Sequence, residues 1–278
     1  QRNIGGQFRA QRGHRPHHRR VPVGVEACAH LPHSRADHRE VGIEEIHPVT
    51  GGEILVADIA AAADREPVVD DPFGARAWID VARDGGDWGT IWVRYAGRCW
   101  RWARIHKSDY HLYAGKAKEL CEYLRAQGVT DIWFRIDNGG GYGGGVKDLI
   151  DVPAFHEMFV PPEDTPREEI EKWSFKVTMV NFGGNARQKK KYANKITEIY
   201  AEAAEVLLGV KLVDPPPELK GDLTEREYDW TLKDGREVKI IESKKIFTKR
   251  KKRSPDDGDG CNLALAPDFV FNAGWSWA

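Results

Sequence analysis

The stretch that most constrains the fold is Ile132-Trp133-Phe134-Arg135-Ile136-Asp137, which is followed by a glycine-rich run from Gly139 to Gly145. A run so nearly apolar suits a central strand buried on both faces. The strand ends on an acid, and the glycines after it let the backbone turn sharply beside that acid. A second segment has the same form: Ala77-Trp78-Ile79-Asp80-Val81-Ala82, then a Gly/Asp turn. A third group of acids comes late, in Ser254-Pro255-Asp256-Asp257-Gly258-Asp259, ahead of the apolar run Leu263-Ala264-Leu265-Ala266. Asp256 and Asp259 are three apart and so share one helix face. Two strand-end aspartates and a helical pair form a set of hard oxygen ligands suited to Mg²⁺ or Mn²⁺. Two such ions clamp the attacking and leaving oxygens of a phosphodiester, and no side-chain nucleophile is then required. No Ser/His/Asp or Cys/His set is evident.

Around these segments the pattern is α/β. Ala75 to Val81 reads as a strand. Thr90 to Tyr95 and Arg98 to Ile105 read as a hairpin joined at Ala96-Gly97. A helix is predicted from Asp109 to Gln127, where Ala114, Ala117, Leu120, Cys121 and Leu124 recur at helical spacing and Gly128 fits the end. Asp131 to Ile136 is the next strand, and Val146 to Leu149 begins a short helix. Residues 151–172, with Pro153, Pro161, Pro162 and Pro166, read as an irregular insertion. Phe175 to Val180 is a further strand and Ala186 to Leu208 a long helix. Pro215-Pro216-Pro217 then breaks the chain. Glu227 to Leu232 and Arg236 to Glu242 form a hairpin around Asp234-Gly235. A short helix over Pro255 to Ala266 follows.

The chain has 278 residues, enough for one or two domains. Composition changes near residue 75. No Lys precedes Lys107, no Trp or Tyr precedes Trp78, and seven of the ten histidines lie in the first 47 residues. Residues 1–74 therefore read as a basic, His/Arg-rich extension with too little apolar surface to offset its ordering entropy. Residues 53–63 within it could form a strand or a short helix. His14, His17 and His18 lie close together but have no cysteine at zinc spacing, so a basic tail is favoured over a metal tract. The four cysteines form no CxxC pair and read as reduced thiols. There is no Walker A motif, no signal peptide and no run of 18 apolar residues. A formal net charge of −1 excludes nothing, but the charge is uneven. Arg187, Lys189, Lys190, Lys191 and Lys195 form one basic cluster. Lys244, Lys245, Lys249, Arg250, Lys251, Lys252 and Arg253 form another. Clusters of this kind attract phosphate backbones, and beside an acidic site the nucleic-acid reading outweighs that of a solvated face.

The order of these segments resembles the nuclease domain of phage large terminase subunits, a branch of the RNase H-like nucleases. The motifs that carry the resemblance are Gly139 to Leu149, Val180-Asn181-Phe182-Gly183-Gly184-Asn185-Ala186, Tyr192-Ala193-Asn194-Lys195 with Glu198 and Tyr200, Ile241-Glu242-Ser243-Lys244-Lys245, and Ser254-Pro255-Asp256. It covers roughly residues 75 to 266, leaving 267–278 as a C-terminal tail. It implies an RNase H-like mixed five-stranded sheet flanked by helices, with an additional β-hairpin. Asp80 and Asp137 would lie side by side, with Asp256 and Asp259 completing a cage for two ions of Mg²⁺ or Mn²⁺. Lys189, Lys190, Lys244 and Lys245 would contact DNA. The activity implied is cutting of concatemeric double-stranded viral DNA during packaging. The implied partners are a terminase small subunit, a portal protein and a separate ATPase. The implied setting is the cytoplasm of the infected host cell, in a virion assembly intermediate.

The chain departs from the family at its last helix, usually Ser-Pro-Asp-x-Ala-Asp-Ala-Leu. Here Gly258, Gly260 and Asn262 intrude, and each glycine costs about 1 kcal/mol of helix stability relative to alanine. A weak final helix is therefore expected. Asp257 reads as a solvated acid. Asp87 is a candidate auxiliary ligand, but its spacing to Thr90 is one residue longer than the family's. Two rival readings stay open: a junction-resolvase-like or other RNase H-like nuclease, and a catalytically inactive DNA-binding or packaging-assembly protein.

Overall fold

Strand β1 (Ala75–Asp80) is buried at every position, as a strand covered on both faces must be. The computed structural model describes residues 56–67, 74–82, 88–106 and 109–271, all within one compact unit, Pro48–Ala278. β1 pairs antiparallel with β2 (Trp88–Tyr95), and β2 pairs antiparallel with β3 (Arg98–His106). Ala96 and Gly97 join β2 to β3 at φ 49° and 69°, the doubly left-handed turn that matches strand twist. Helix α1 (Val56–Asp64) precedes β1 and buries Ile59 and Ala62, so the helical alternative holds for part of 53–63. Helix α2 (Tyr110–Ala126) starts on the Asp109 side chain, which accepts the His111 N–H at 3.0 Å, and ends before Gly128 at φ 82°. β4 (Asp131–Asp137) lies parallel to β1, and α3 (Gly143–Ile150) follows it.

The 151–172 insertion is irregular, as expected, but it is not detached. It carries short helices α4 (Pro153–His156) and α5 (Arg167–Ile170), and its Phe155 and Phe159 are buried against Phe175. β5 (Ser174–Val180) pairs parallel with β4. Helix α6 (Lys195–Leu207) starts nine residues later than the predicted Ala186 onset, with Asn194 accepting the Thr197 N–H at 3.0 Å. Buried Glu198 explains the delay. Its carboxylate accepts the backbone N–H groups of Arg187 (2.7 Å) and Gln188 (2.9 Å), and these amides are thereby held outside a helix.

β6 (Lys211–Leu212) adds two residues parallel to β3, so the sheet has six strands rather than five, in the order β5-β4-β1-β2-β3-β6. Helix α7 (Pro217–Thr224) opens on Pro217 at its first turn. The separate hairpin is β7 (Tyr228–Lys233) and β8 (Arg236–Ile241), turned at Asp234 and Gly235 with φ 53° and 72°. Helices α8 (Lys244–Lys251), α9 (Asp256–Leu265) and α10 (Asp268–Phe271) complete the described chain.

Alternation on the strands divides the core into two layers. Trp78 and Trp92 face α6, α7 and α9, with Tyr200, Leu219, Leu263 and Leu265 around them. Ile79, Ile91 and Val93 face α2 and α3, with Tyr113, Leu120, Leu124 and Val146. The residues from 267, read as a tail, carry α10, and its Asp268 pairs with Arg76 and Arg135 on the sheet. Cys99, Cys121 and Cys261 are buried and free. Most of residues 1–74, the Asp84-Gly85-Gly86 turn, Asp87 and residues 272–278 lie outside the described residues.

Candidate active site

The parallel register of β1 and β4 runs Ala75↔Ile132 to Ile79↔Ile136. Its next step holds Asp80 and Asp137, so the two acids end neighbouring strands, which are about 4.8 Å apart in a sheet. Asp137 Oδ1 accepts the Gly139 N–H at 2.9 Å, which starts the turn away from the strand. A side chain at 139 would place its Cβ 2.7 Å from Asp137 Oδ2, so the glycine there leaves the carboxylate room.

Asp256 and Asp259 lie one turn apart on α9, and Lys244, the first residue of α8, reaches both. Its Nζ lies 2.9 Å from Asp256 Oδ1 and 3.4 Å from Asp259 Oδ2. Asp259 is fixed from behind, because its Oδ1 accepts the Tyr200 hydroxyl at 2.5 Å and Arg226 Nη1 at 2.9 Å. Arg226 is anchored in turn through Nη2 to the Glu242 carbonyl at 2.6 Å. Asp256 Oδ1 also accepts the Ser254 hydroxyl at 2.5 Å. Sequence reasoning missed Arg226, which precedes the hairpin with no pattern to mark it. Tyr200 lay within a family-like stretch but had no assigned role.

The electrostatics tie the four acids together. Burial pushes the Asp80 carboxyl up from 3.8 to about 8; Lys244 opposes the rise, and Asp137, Asp259 and Asp256 add to it. Loss of water around its ammonium works against the Lys244 charge, although the side chain as a whole stays exposed, and Asp80, Asp259 and Asp256 outweigh it and hold the ammonium well above its ordinary range. Burial likewise raises the Tyr200 hydroxyl, with Arg226 opposing and Asp259 reinforcing. Four neighbouring acids, one of them driven to keep its proton while no further cation is present, form a donor set that a hard divalent cation would suit. Among the described residues, no three metal-ligating side chains converge on one point. The counter-charge within the set is the Lys244 ammonium.

The remaining predicted residues are more dispersed. Lys189 and Lys190 are exposed in the connection before α6, and Lys245 is exposed on α8. Asp257 is not a solvated acid. It is buried, and its Oδ2 pairs with Arg101 Nη1 at 2.8 Å. A cleft of about 730 Å³ opens beside Lys244 and Asp259, lined by Phe182, Ile196, Tyr228 and Ile246.

The two α9 glycines have a packing reason. α9 is buried along its whole length. A Cβ at 258 would lie 2.6 Å from Asp222 Cβ, and one at 260 would meet the Trp92 ring and lie 2.6 Å from Thr90 Oγ1. The helix-propensity penalty therefore accompanies a close approach that sets Asp256 and Asp259 against β1 and β2. Gly260→Ala is expected to destabilise the protein by about 1–3 kcal/mol, the range for overpacking, as a lower urea midpoint with an unchanged slope.

No family of known sequences matches the chain, and neither does any curated protein. Solved structures do match. The nuclease domain of the large terminase subunit gp2 of bacterial virus Sf6 superposes with a TM-score of 0.50 at 12% identity, covering 77% of this chain and 98% of that one. A single-residue variant of that domain with manganese and β-thujaplicinol gives 0.52, and one with calcium gives 0.51, each at 12% identity and the same coverage. At that identity the likeness is one of architecture. The mixed sheet, its flanking helices and the separate hairpin give this chain the RNase H-like fold of phage large-terminase nuclease domains.

Proposed function

We propose that the chain is a divalent-metal-dependent endonuclease that hydrolyses double-stranded DNA, with Asp80, Asp137, Asp256 and Asp259 as the metal-holding acids. The observation that carries this reading is the clustering of Asp80, Asp256 and Asp259 about Lys244, with Asp137 beside Asp80 on the next strand. The ions, two of Mg²⁺ or Mn²⁺, would supply charge to offset the phosphate and activate water. The protein's own part is orientation. Tyr200 and Arg226 hold one oxygen of Asp259 and leave Oδ2 directed toward Lys244. Ser254 holds Asp256 in the same manner. Lys244 balances the acids and lies within reach of a phosphate bound at the cleft. Lys189, Lys190 and Lys245 supply further positive charge for the backbone.

The fold is that of domains that belong to phage packaging enzymes, which supports the cutting of concatemeric viral DNA as the biological task. A small subunit, a portal and a separate ATPase would then be the partners, and the cytoplasm of the infected host cell the setting. Among the described residues no helix is long and apolar enough to cross a membrane. A second reading, an inactive DNA-binding or assembly protein, draws on Lys244, which already supplies the acids with a counter-charge.

Plasmid cleavage by the full chain with Mn²⁺ or Mg²⁺, beside Asp137→Asn, separates the two. The nuclease reading expects metal-dependent cutting that the variant loses. A folded wild-type protein that retards the plasmid and never nicks it would leave the inactive reading. Preference for branched over linear DNA would instead indicate a resolvase-like enzyme.

A further inference from the structure

We propose that Lys245, Lys249 and Lys252 form a track for the phosphate backbone of duplex DNA as it runs away from the acid cluster. The proposal rests on the nuclease reading for its substrate. The seven basic residues from 244 to 253 divide sharply by their surroundings. Lys244 pairs with Asp256 and Asp259. Arg250 pairs with Glu242 and with Glu227 at 3.3 Å, and Lys251 with Glu225 at 3.4 Å. Arg253 pairs with Asp222 and with Glu225 at 3.1 Å. These four hold α8 to the domain around buried Phe247. Lys245, Lys249 and Lys252 are exposed and form no ion pair among the described residues.

Their spacing of four puts Lys245 and Lys249 on one stripe of the helix, and Lys252 follows at its C-terminal cap. Lys245 and Lys249 are like charges one turn apart, an arrangement that destabilises a helix unless an anion lies against it. Lys252 ends the helix at φ 58°, a left-handed position that glycine or asparagine fills more easily. The stripe therefore goes against local preference at two places, and no acid of the described domain forms an ion pair with it. It starts beside Lys244 and extends roughly 10 Å at 1.5 Å per residue. That is about three base pairs of duplex at 3.4 Å each. A row of lysines reads charge and not sequence, which suits an enzyme that must accept any DNA.

The test is duplex binding, read by fluorescence anisotropy over a salt series without added metal. The protein carries Asp137→Asn so that the DNA stays whole. Adding Lys249→Gln and Lys252→Asn should lower the slope of log K against log salt by about 2, since each lost phosphate contact contributes about 0.9. Lys249→Gln alone should give half that loss. Lys118→Gln, on the helix covering the opposite face of the sheet, should leave the slope unchanged. Melting curves confirm that each variant is folded. An unchanged slope in the folded double variant overturns the track, and so does a parent protein that fails to bind duplex. The nuclease reading stands or falls separately, on whether the wild-type chain cuts plasmid with Mn²⁺. A lower slope without any cutting would keep the track and remove the nuclease.

Discussion

Asp80→Asn should abolish cleavage and at the same time make the metal-free protein more stable at pH 8. The first effect follows from its assigned place at the end of β1. Removing one preorganised charge-stabilising group from a site of this type costs about 10³-fold in rate. The second follows from linkage. Burial and three neighbouring acids hold the Asp80 carboxyl at about 8, against 3.8 ordinarily. Between those values the folded chain keeps a proton that the unfolded chain releases, so stability falls as pH rises from about 4 to about 8 and then levels off. Asparagine has no such proton to lose. The melting curves of wild type and variant, taken in EDTA, should converge at low pH and separate toward pH 8, with the variant higher by about 2–4 °C for each kcal/mol recovered. Added Mn²⁺ should raise the wild-type transition and leave the variant's in place. A variant less stable than wild type at pH 8 would mean that the Lys244 ammonium alone is enough to hold the Asp80 carboxylate charged.

The largest effect on stability is expected at Asp268, in the segment read from sequence as a tail. Arg135 is fully buried in β4, and burial brings its guanidinium down to about 9, while Asp268 works to keep it charged. Arg76 on β1 donates Nε and Nη2 to the same carboxylate at about 2.9 Å, and Nη1 to Asp131 at 2.8 Å. Burial opposes the Asp268 charge, but Arg135 and Arg76 outweigh it and hold the carboxyl below the usual carboxylate range. Removing this one anion leaves Arg135 uncompensated inside the sheet, at a cost of about 3–5 kcal/mol. Asp268→Ala should therefore lower the urea midpoint more than any single change at the four candidate site acids. Asp268→Asn should lose most of the same stability, because it is the charge and not the shape that is removed. A loss below about 1 kcal/mol would mean that water or a rearranged side chain had reached Arg135.

The sheet was legible where a single local rule decided the outcome. The continuous apolar runs ending at Asp80 and Asp137 identify strands buried on both faces, and Ala96-Gly97 and Asp234-Gly235 mark both hairpin turns. The apolar spacing from Tyr192 onward does not show where α6 begins, because the amides of Arg187 and Gln188 are taken by Glu198, eleven and ten residues further on. α8 has no apolar period to mark it, since Ile246 and Phe247 stand alone among charges, and its start shows only in the fold, where the Ser243 hydroxyl accepts the Ile246 N–H at 3.3 Å. The α9 glycines looked like defects because their benefit, a close approach to Trp92 and Asp222, lies in parts of the chain distant in sequence. The acids of the candidate site were visible as residues. The groups that orient Asp259 were not legible in that role: Tyr200 stands in a family-like stretch and Arg226 in none, and each is a lone polar side chain whose partner is set only by the folded arrangement. Arg76, Arg94 and Arg135 were equally hidden, because a strand arginine gives no local sign that it faces inward.

α9 carries two of the four acids, and its last carbonyls are held by the sheet: Arg94 donates to the Leu265 carbonyl and Arg135 to that of Ala266 at 3.1 Å. A helix buried on every side and gripped at its end has no low-energy way to open alone. In native-state hydrogen exchange its amides should belong to the slowest class, opening only as the whole sheet opens. The acids would then be set in place once, when the chain folds, and would not be reassembled with each encounter with DNA.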